Sequence, residues 1–393
     1  MSGTARVGPP PAPPSVDEVR EALGRVQDPE IRRPVTELGM VRDVEVVPGA
    51  PGGGATVRVG LLLTTSGCPL KDRLTEDTTR EVGALAGVDR VEVDLGVMDD
   101  AGRAALKDVL RGGRPAREVP FSRPGSLTRV VAVASGKGGV GKSSVTVNLA
   151  AAMAADGLRV GVLDADVHGF SVPRMLGVQH APTQIDDMIV PPVAHGVKVV
   201  SIGMFTPGNT PVVWRGPMLH RTLEQFLTDV HWGDLDVLLL DLPPGTGDIA
   251  ISVAQLLPGA ELLVVTTPQA AAAEVAERAG TLARQTKQAV AGVVENMSWL
   301  ETPDGGRLEV FGRGGGQAVV DRLGEVLRAR VTLLAQVPLD VRVREGGDEG
   351  VPLVLSAPDA PAARALREVA RALSGPRGLA GRPLGLTPVR RAG

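Results

Sequence analysis

Apolar and polar residues follow two different patterns along the chain, and the first predicts short helices and half-buried strands. A helical pattern at 16–26 begins with a capping box between Ser15 and Glu18. Alternating strand patterns follow at 41–48, 55–65 and 89–95, and a helical stretch near 70–86 separates the last two. This part of the chain is therefore predicted to form a small α+β domain.

The second pattern begins near residue 129 and consists of continuous Val/Leu-rich runs that alternate with helical segments. The runs lie at 129–134, 159–163, 236–240, 261–266, 289–294 and 331–335. Continuous apolar runs are typical of strands that are buried on both faces, as in a parallel sheet covered by helices. We therefore expect an α/β fold with a mostly parallel sheet flanked by helices, preceded by the small α+β domain.

Changes in Pro and Gly content mark the expected boundaries between these parts. The sequence predicts a disordered tail at 1–14, the small domain at 15–98, a linker at 99–127, the larger domain at 128–375 and a flexible tail at 376–393.

The overall composition argues against several classes of protein. Hydrophobic residues make up 43% and charged residues 22% of the 393 residues, which is close to the globular average and excludes wholesale disorder. A net charge of −3 and an aromatic content of 2% argue against a nucleic-acid partner. No apolar run reaches the roughly 18 residues of a membrane span, and no signal peptide is visible. We therefore expect no membrane association and a cytoplasmic location.

The chain contains a single cysteine, Cys68. One cysteine excludes an intrachain disulfide, and the scattered histidines show no zinc-binding pattern. Cys68 stands where a loop meets a helix that begins near residue 70, and a helix N-terminus stabilises a thiolate. Cys68 is therefore a candidate reactive or metal-ligating thiol, with a buried small apolar side chain as the alternative.

A glycine-rich loop after the strand at 129–134 carries the strongest chemical signal. Residues 136–143 fit the pattern G-x-x-x-x-G-K-[ST] and lead into a helical stretch at 141–155. Backbone N–H groups of such a loop, together with the helix N-terminus, bind phosphate groups. We expect Lys142 to bridge the β- and γ-phosphates and Ser143 to ligate Mg²⁺. The predicted nucleotide-binding residues of the loop are Gly136, Lys137, Gly138, Gly139, Val140, Gly141, Lys142 and Ser143.

Lys137 is a second lysine in this loop, and the basic pattern does not require it. Its ammonium group could fold back onto the nucleotide of its own chain. It could also reach the nucleotide of a facing subunit and act like an arginine finger. A solvated lysine without a role is the third interpretation.

Acidic residues at the ends of two apolar strands complete the candidate site. Asp164 and Asp166 stand two residues apart, so both carboxylates point the same way at the ligand-binding edge of a parallel sheet. We expect one to orient the attacking water and the other to support Mg²⁺ through water, with a turn or capping role as the alternative. Asp241 ends the second strand and is a candidate Mg²⁺ ligand. The Pro/Gly-rich segment at 242–248 behind it is suited to sensing the γ-phosphate.

These motifs together resemble the deviant P-loop ATPases of the ParA/MinD class, on GKGGVGKS at 136–143, DAD at 164–166 and DLPPGTGD at 241–248. Further segments resemble the Mrp (ApbC) branch of iron–sulfur cluster carrier proteins: VVTTPQ at 264–269, VENMS at 294–298, FGRGGG at 311–316 and QVPLD at 336–340. The first part of the chain resembles the small iron–sulfur assembly domain often fused before that ATPase, on DPE at 28–30, LGMV at 38–41 and GCP at 67–69. The resemblance covers roughly 16–98 and 128–375.

The resemblance implies an ATPase that uses hydrolysis as a conformational switch, with ATP and Mg²⁺ as cofactors. It implies a homodimer with nucleotide at the interface, in which Lys137 reaches the partner's phosphates. It also implies that Asn296 and the 338–340 segment recognise adenine. The implied function is to bind iron–sulfur clusters and transfer them to apoproteins, in contact with iron–sulfur assembly proteins.

One segment departs from the family pattern. Family members carry a C-x-x-C pair shortly after the segment that matches 296–298, whereas WLETPDGG stands here at 299–306. A dimer would supply only two thiolates, both from Cys68, and a cluster usually takes four. Two hypotheses follow: a carrier with Cys68 as a candidate cluster ligand, and a nucleotide-gated scaffold or assembly factor that holds no cluster itself. A MinD-like positioning ATPase is disfavoured, because the 361–374 segment has too few large apolar residues for a membrane anchor.

Overall fold

A computed structural model describes residues 12–50, 53–65, 69–111, 118–123, 125–167, 169–205, 216–245, 247–269 and 272–374. Most of the expected tail at 1–14, the expected tail at 376–393 and the candidate thiol of Cys68 lie outside these ranges. Within the described ranges, no helix has both the length and the apolar character needed to cross a membrane.

The first part of the chain forms a three-stranded sheet with helices packed on it. Its elements are α1 (Val16–Leu23), β1 (Val41–Val47), β2 (Ala55–Leu63), α2 (Lys71–Gly83), β3 (Val88–Val97) and α3 (Asp100–Arg111). β2 lies in the centre, antiparallel to β1 and parallel to β3. The Ser15 backbone N–H donates to the Glu18 carboxylate at 2.7 Å, so the capping box that the sequence predicts is present at the start of α1.

Helix α3 lies in the stretch that the sequence pattern assigns to the linker at 99–127. It buries Leu106 and Leu110 in the apolar core of the first sheet. The assignment of residues 100–111 to a linker is therefore wrong, because the apolar residues of this segment recur on one helical face and pack on the sheet. The bounds of the two domains stay a prediction. A short 3₁₀ helix at Pro120–Ser122 precedes the second sheet.

The Val/Leu-rich runs form the central strands of a larger sheet, which has nine strands in the part of the chain that the structure describes. The strands of this second part are β4 (Arg129–Ser135), β5 (Val160–Asp164), β6 (Thr183–Ile185), β7 (Met188–Val190), β8 (Val193–Ala194), β9 (Val197–Ser201), β10 (Val237–Asp241), β11 (Glu261–Thr266), β12 (Val290–Glu301), β13 (Arg307–Leu308) and β14 (Leu333–Leu339). The sheet order is β13-β12-β11-β4-β10-β5-β9-β8, with β14 also paired to β12, and β6 and β7 form a separate hairpin. Among the strands that the structure describes in the large sheet, only β13 and β8 run antiparallel to their neighbours.

Helices cover both faces of this sheet. They are α4 (Lys142–Ala155), α5 (Val172–Met175), α6 (Gly216–Thr228), α7 (Asp248–Leu256), α8 (Ala272–Thr286), α9 (Gly315–Leu327), α10 (Val341–Glu349), α11 (Leu353–Ser356) and α12 (Pro361–Ser374), with a 3₁₀ helix at Ile202–Phe205. In β4, Val131 and Val133 pack in the layer of α4 and α12, whereas Val130 and Ala132 pack in the layer of α6 and α7. Because both faces of this strand are buried, its sequence is a continuous apolar run.

The apolar residues of α12 point into the protein. Leu366, Val369 and Leu373 are buried in the same core as α4. Their helical spacing therefore serves packing against the sheet.

The two parts of the chain contact each other through the β6–β7 hairpin and the start of β9. Ile185, Met188 and Val190 belong to the same apolar cluster as the core of the first sheet. Arg32 also donates a hydrogen bond to the carbonyl oxygen of Gly196 at 2.7 Å. The sequence pattern predicts neither the hairpin nor β9, since both are short.

Candidate nucleotide-binding site

The glycine-rich loop connects β4, in the middle of the sheet, to the first turn of α4. Gly139 and Gly141 have φ angles of 79° and 78°, a left-handed conformation that favours glycine. A Cβ atom on Gly141 would overlap the side-chain amide of Asn296. The loop is therefore closed tightly over the N-terminus of α4, where backbone N–H groups and the helix dipole favour an anion.

Asn296 lies directly against this loop. Its Nδ2 atom donates to the carbonyl oxygen of Val140 at 2.9 Å. The same side chain lines a cavity of about 330 Å³, together with Pro338, Leu339 and Asp340. The structure thus brings the two segments expected to recognise adenine, 296 and 338–340, to one cavity beside the loop. β12 and β14 run parallel and adjacent, which places both segments at the same edge of the sheet.

Three strands end side by side at this edge. Asp241 of β10 is the register partner of Asp164 of β5, which in turn is the register partner of Ser201 of β9. All three side chains are fully buried. Two carboxylates therefore lie abreast at the carboxyl ends of parallel strands, the edge at which α/β sheets bind ligands.

The Asp241 carboxylate contacts the first turn of α4. Its Oδ2 atom lies 2.8 Å from Lys142 Nζ and accepts a hydrogen bond from Ser143 Oγ at 2.6 Å. Its Oδ1 atom accepts from Thr146 Oγ1 at 2.8 Å. The cation of Lys142 offsets the burial of this carboxylate, and oxygen donors from Ser143 and Asp241 meet where a hard cation would be held.

Asp164 is held by three donors. The N–H groups of Asp166 and Val172 donate at 3.1 and 3.3 Å, and Ser201 Oγ donates at 3.2 Å. Burial, followed by the charge of Asp241, raises the pKa of Asp164 to about 7. Asp164 can therefore hold or release a proton near neutral pH.

Asp166 faces the same space as the loop lysine. One of its carboxylate oxygens lies 3.9 Å from Lys142 Nζ, and the residue is largely buried. Asp166 and Asp241 thus both lie near one ammonium group, whose charge also acts on Asp164. The i, i+2 spacing of the first two does bring both carboxylates to the same edge of the sheet.

Lys137 lies at the outer side of the loop, where its ammonium group contacts Gln269 Oε1, after the end of β11. The segment after Asp241 also packs on the end of β4, directly before this loop, because the Gly245 N–H donates to the Ser135 carbonyl oxygen at 2.8 Å. Thr246, in the same segment, lies outside the described residues.

Metal-ligating side chains do not gather elsewhere in the part of the chain that the structure describes. No group of three or more His, Cys, Asp or Glu side chains is arranged there to hold a metal ion. Cys68 is outside that part, so its predicted role is untested.

Sequence reasoning missed two hydroxyl groups that contact the site carboxylates. Thr146 stands one helical turn after Lys142, and this i, i+4 spacing is the signal that could have found it. Ser201 had no such signal, because its place beside Asp164 depends on the unpredicted strand β9.

Comparison with known protein families shows the family to which this chain belongs. Residues 126–374 match the family model described as ParA, NUBPL iron-transfer P-loop NTPase. The chain belongs to this family. Residues 16–95 match a second family model, described as iron-sulfur cluster assembly protein. The α/β fold and the ATPase class that the sequence predicts are thereby confirmed.

Individual relatives are similar over nearly the whole chain. The iron-sulfur cluster carrier protein of Mycobacterium tuberculosis is 61% identical over 374 residues, which cover 95% of this chain and 97% of that protein. That of Synechocystis is 39% identical over 92% of this chain and 97% of that protein. A solved structure, the nucleotide-binding protein of Archaeoglobus fulgidus in complex with ADP, aligns with a TM-score of 0.48 and 38% identity over 56% of this chain and 86% of that chain.

Proposed function

We propose that this ATPase is an ATP-dependent carrier that binds iron–sulfur clusters and transfers them to apoproteins. The observation that carries the proposal is the contact of Lys142, Ser143 and Asp241 behind a glycine loop, in a chain whose two parts match an iron-transfer and an iron–sulfur assembly family. Its partners are apoprotein clients and iron–sulfur assembly proteins. We place this activity in the cytoplasm, where thiols stay reduced.

The nucleotide lies along the loop in this proposal. The N–H groups of residues 136–141 bind the phosphates, and Lys142 bridges the β- and γ-phosphates. Ser143 and Asp241 hold Mg²⁺, which prefers oxygen ligands such as theirs and neutralises charge on the phosphate oxygens. Asn296 recognises adenine at the cavity beside the loop, since an amide can pair with the N6 and N7 edge.

Asp164 and Asp166 serve the hydrolytic step. Asp166, near Lys142, orients the attacking water, and Asp164, beside Asp241, supports Mg²⁺ through a water molecule. Hydrolysis removes the γ-phosphate from Lys142 and from the 242–248 segment. This loss of contacts is the switch between two conformations.

A homodimer completes the site. Lys137 stands on the outer side of the loop, where its ammonium group contacts the Gln269 side chain, so the group can turn outward. In a dimer with facing loops, Lys137 reaches the partner's phosphates and stabilises charge there.

The cluster is cargo, and the chain's own thiols do not complete its ligand set. One cysteine per chain gives two thiolates per dimer, whereas a cluster usually takes four. We therefore assign two ligand positions to the two copies of Cys68 in the dimer and the remaining two to thiols outside the dimer, from the donor, the client or a small thiol. Incomplete ligation by the carrier favours release, which suits transfer.

Anaerobic reconstitution with iron, sulfide and glutathione tests this proposal. We expect the wild type to show the visible absorbance of a cluster and Cys68→Ala to lose most of it. A Cys68→Ser variant is the matched control, since it keeps the size of the side chain but replaces the thiolate.

If the wild type binds no stoichiometric cluster, with or without glutathione, the proposal that it carries clusters is contradicted. The single cysteine would then favour the nucleotide-gated scaffold that holds no cluster.

A further inference from the structure

We propose that Thr146 is a positioning residue that orients the Asp241 carboxylate toward the Mg²⁺ site. The inference rests on the proposed function, in which Asp241 and Ser143 hold the cation. Thr146 is fully buried in α4 and belongs to neither the glycine loop nor the acidic motifs. Its side chain nevertheless touches the carboxylate at the centre of the site.

The two oxygens of Asp241 have different surroundings. Oδ2 faces the loop, with Lys142 Nζ at 2.8 Å and Ser143 Oγ at 2.6 Å. Oδ1 faces away from them and accepts from Thr146 Oγ1 at 2.8 Å. Rotation of a carboxylate about its last side-chain bond is soft, so a donor on one oxygen decides where the other points. Thr146 therefore keeps Oδ2 directed at Ser143.

The Thr146 hydroxyl has a second acceptor within reach. The acceptor that receives its proton decides whether Thr146 orients Asp241. The carbonyl oxygen of Lys142 lies 3.0 Å from Oγ1, at the spacing of a common helical back-bond. A hydroxyl has one proton to donate. Hydrogen bonds to an ionised acceptor are stronger than those to a neutral carbonyl, and the carboxylate is also the nearer acceptor. The proton therefore lies on the Asp241 side.

Orientation of Asp241 needs such a donor because a second carboxylate lies beside it. Asp164 is its register partner on the adjacent strand, and both are fully buried. When Asp164 is ionised, the two carboxylates on adjacent strands repel each other, and either could relieve the repulsion by turning. A neutral donor behind Asp241 opposes that rotation. Donors of this kind, behind a metal-binding carboxylate, typically contribute about 10–100-fold in metal affinity.

Equilibrium binding of a fluorescent ADP analogue at varied free Mg²⁺ tests this role without any turnover. We expect Thr146→Val, which keeps the shape, to raise the Mg²⁺ concentration for half-maximal enhancement of binding by about tenfold. Affinity measured in excess EDTA should change less than about twofold, because no cation is then held. Thr146→Ser keeps the hydroxyl and should stay near the wild type, and Thr146→Ala repeats the loss if the valine variant does not fold.

Thr286→Val is the matched control. Thr286 also donates to the carbonyl oxygen one turn earlier, Leu282 at 2.8 Å, but it lies at the end of α8 and touches no site carboxylate. Its Mg²⁺ dependence should equal that of the wild type.

Three results would overturn the role of Thr146: an unchanged Mg²⁺ dependence in Thr146→Val and Thr146→Ala, an equal loss of affinity in EDTA, or a serine variant as impaired as the valine variant. Failure of the Mg²⁺ site that the proposed function assigns to Ser143 and Asp241 has a different signature. In that case the wild type itself would bind the nucleotide without any Mg²⁺ dependence. Failure of cluster transfer would leave the Mg²⁺ dependences of the wild type and of Thr146→Val unchanged.

Discussion

Two buried clusters in this protein contain carboxylates and a lysine, and the charged groups have different polar partners in the two clusters. At the nucleotide site, Lys142 Nζ lies 2.8 Å from Asp241, which also accepts from two hydroxyl groups. At the contact between the two parts of the chain, Glu30 and Lys198 are also buried. There, Lys198 donates to the His231 carbonyl oxygen at 3.2 Å, and Glu30 Oε1 has no hydrogen-bond partner among the described residues.

The difference appears in the protonation of the second cluster. Burial, with a smaller effect of Asp28, raises the pKa of Glu30 to about 8. Burial, with a smaller effect of Arg32, lowers the pKa of Lys198 to about 8. Thr183 donates a long hydrogen bond of 3.4 Å to Glu30, and His180 Nε2 lies 3.7 Å from it. Such distant partners do not offset burial, whereas a close ion pair supports both charges.

Burial raises the pKa of a carboxyl group in both clusters, Asp164 in the first and Glu30 in the second. The first cluster differs because Lys142 and Ser143 contact Asp241 beside the glycine loop, an arrangement suited to ligand binding.

The largest expected effect is on the rate of ATP hydrolysis, which depends on the first cluster and not on the second. Asp166→Asn should lower the rate of ATP hydrolysis by about 100-fold or more, because it removes the carboxylate that orients water. Nucleotide affinity should stay within a few-fold of the wild type, measured by calorimetry. Glu30→Gln is the control from the other cluster and should leave the hydrolysis rate nearly unchanged. Equal rates of ATP hydrolysis for Asp166→Asn and the wild type would contradict the catalytic role of the first cluster.

An intermediate effect concerns pH and stability. The raised pKa of Glu30 means that its contribution to the free energy of unfolding is full below its ordinary value of 4.5 and is lost as pH rises through about 8. Lys198 has a lowered pKa, so its contribution is lost as pH falls from 10.5 toward about 8. As pH rises from 5 to 8, Glu30 therefore dominates the pH dependence of this cluster and makes the wild type less stable, and Asp164 at the nucleotide site acts in the same direction.

Glu30→Gln removes this titration. We expect the variant to be more stable than the wild type at pH 8, by roughly 1–2 kcal/mol, and similar to it at pH 5. Urea unfolding followed by circular dichroism at several pH values measures the difference. Glu21→Gln, an exposed carboxyl on α1, is the control. A parallel pH dependence in Glu30→Gln and the wild type would contradict the assigned protonation.

The smallest expected effect concerns the hydrogen bond between the two parts of the chain. Arg32→Ala removes the donor to the Gly196 carbonyl oxygen, which costs about 1 kcal/mol or less. It also removes a positive charge near Lys198, which raises the pKa of that lysine and offsets part of the loss. Urea unfolding of Arg32→Ala beside Arg20→Ala, an exposed arginine, should show this small difference. A loss several times larger would mean that Arg32 carries more of the contact than its one hydrogen bond explains.

Much of the fold and of the nucleotide site could be predicted from the sequence, because both are encoded locally. The strand β4, the glycine loop and Lys142 follow one another in the chain, so a short pattern contains strand, loop and helix. The acidic residues at the ends of β5 and β10 could be placed as well, since parallel strands end at one edge of a sheet.

The remaining features depend on contacts between distant segments. Ser201 meets Asp164 only because the short strand β9 is the neighbour of β5. Glu30 belongs to the DPE motif, but the motif does not predict that it is buried against the second part of the chain, where it contacts Thr183. Lys198 carries no local signal, because it lies on the short strand β9. Helix α3 was mistaken for a linker because the Pro/Gly-rich stretch after it dominated the composition of 99–127.

The central claim is that nucleotide binding at Lys142 drives cluster transfer. The most direct measurement is the rate at which anaerobically loaded protein restores the activity of an apoprotein that needs an iron–sulfur cluster, with and without Mg·ATP. The account predicts that Mg·ATP changes this rate in the wild type and has no effect in Lys142→Ala carrying the same amount of cluster. An identical ATP response in Lys142→Ala, or no response in the wild type, would contradict it.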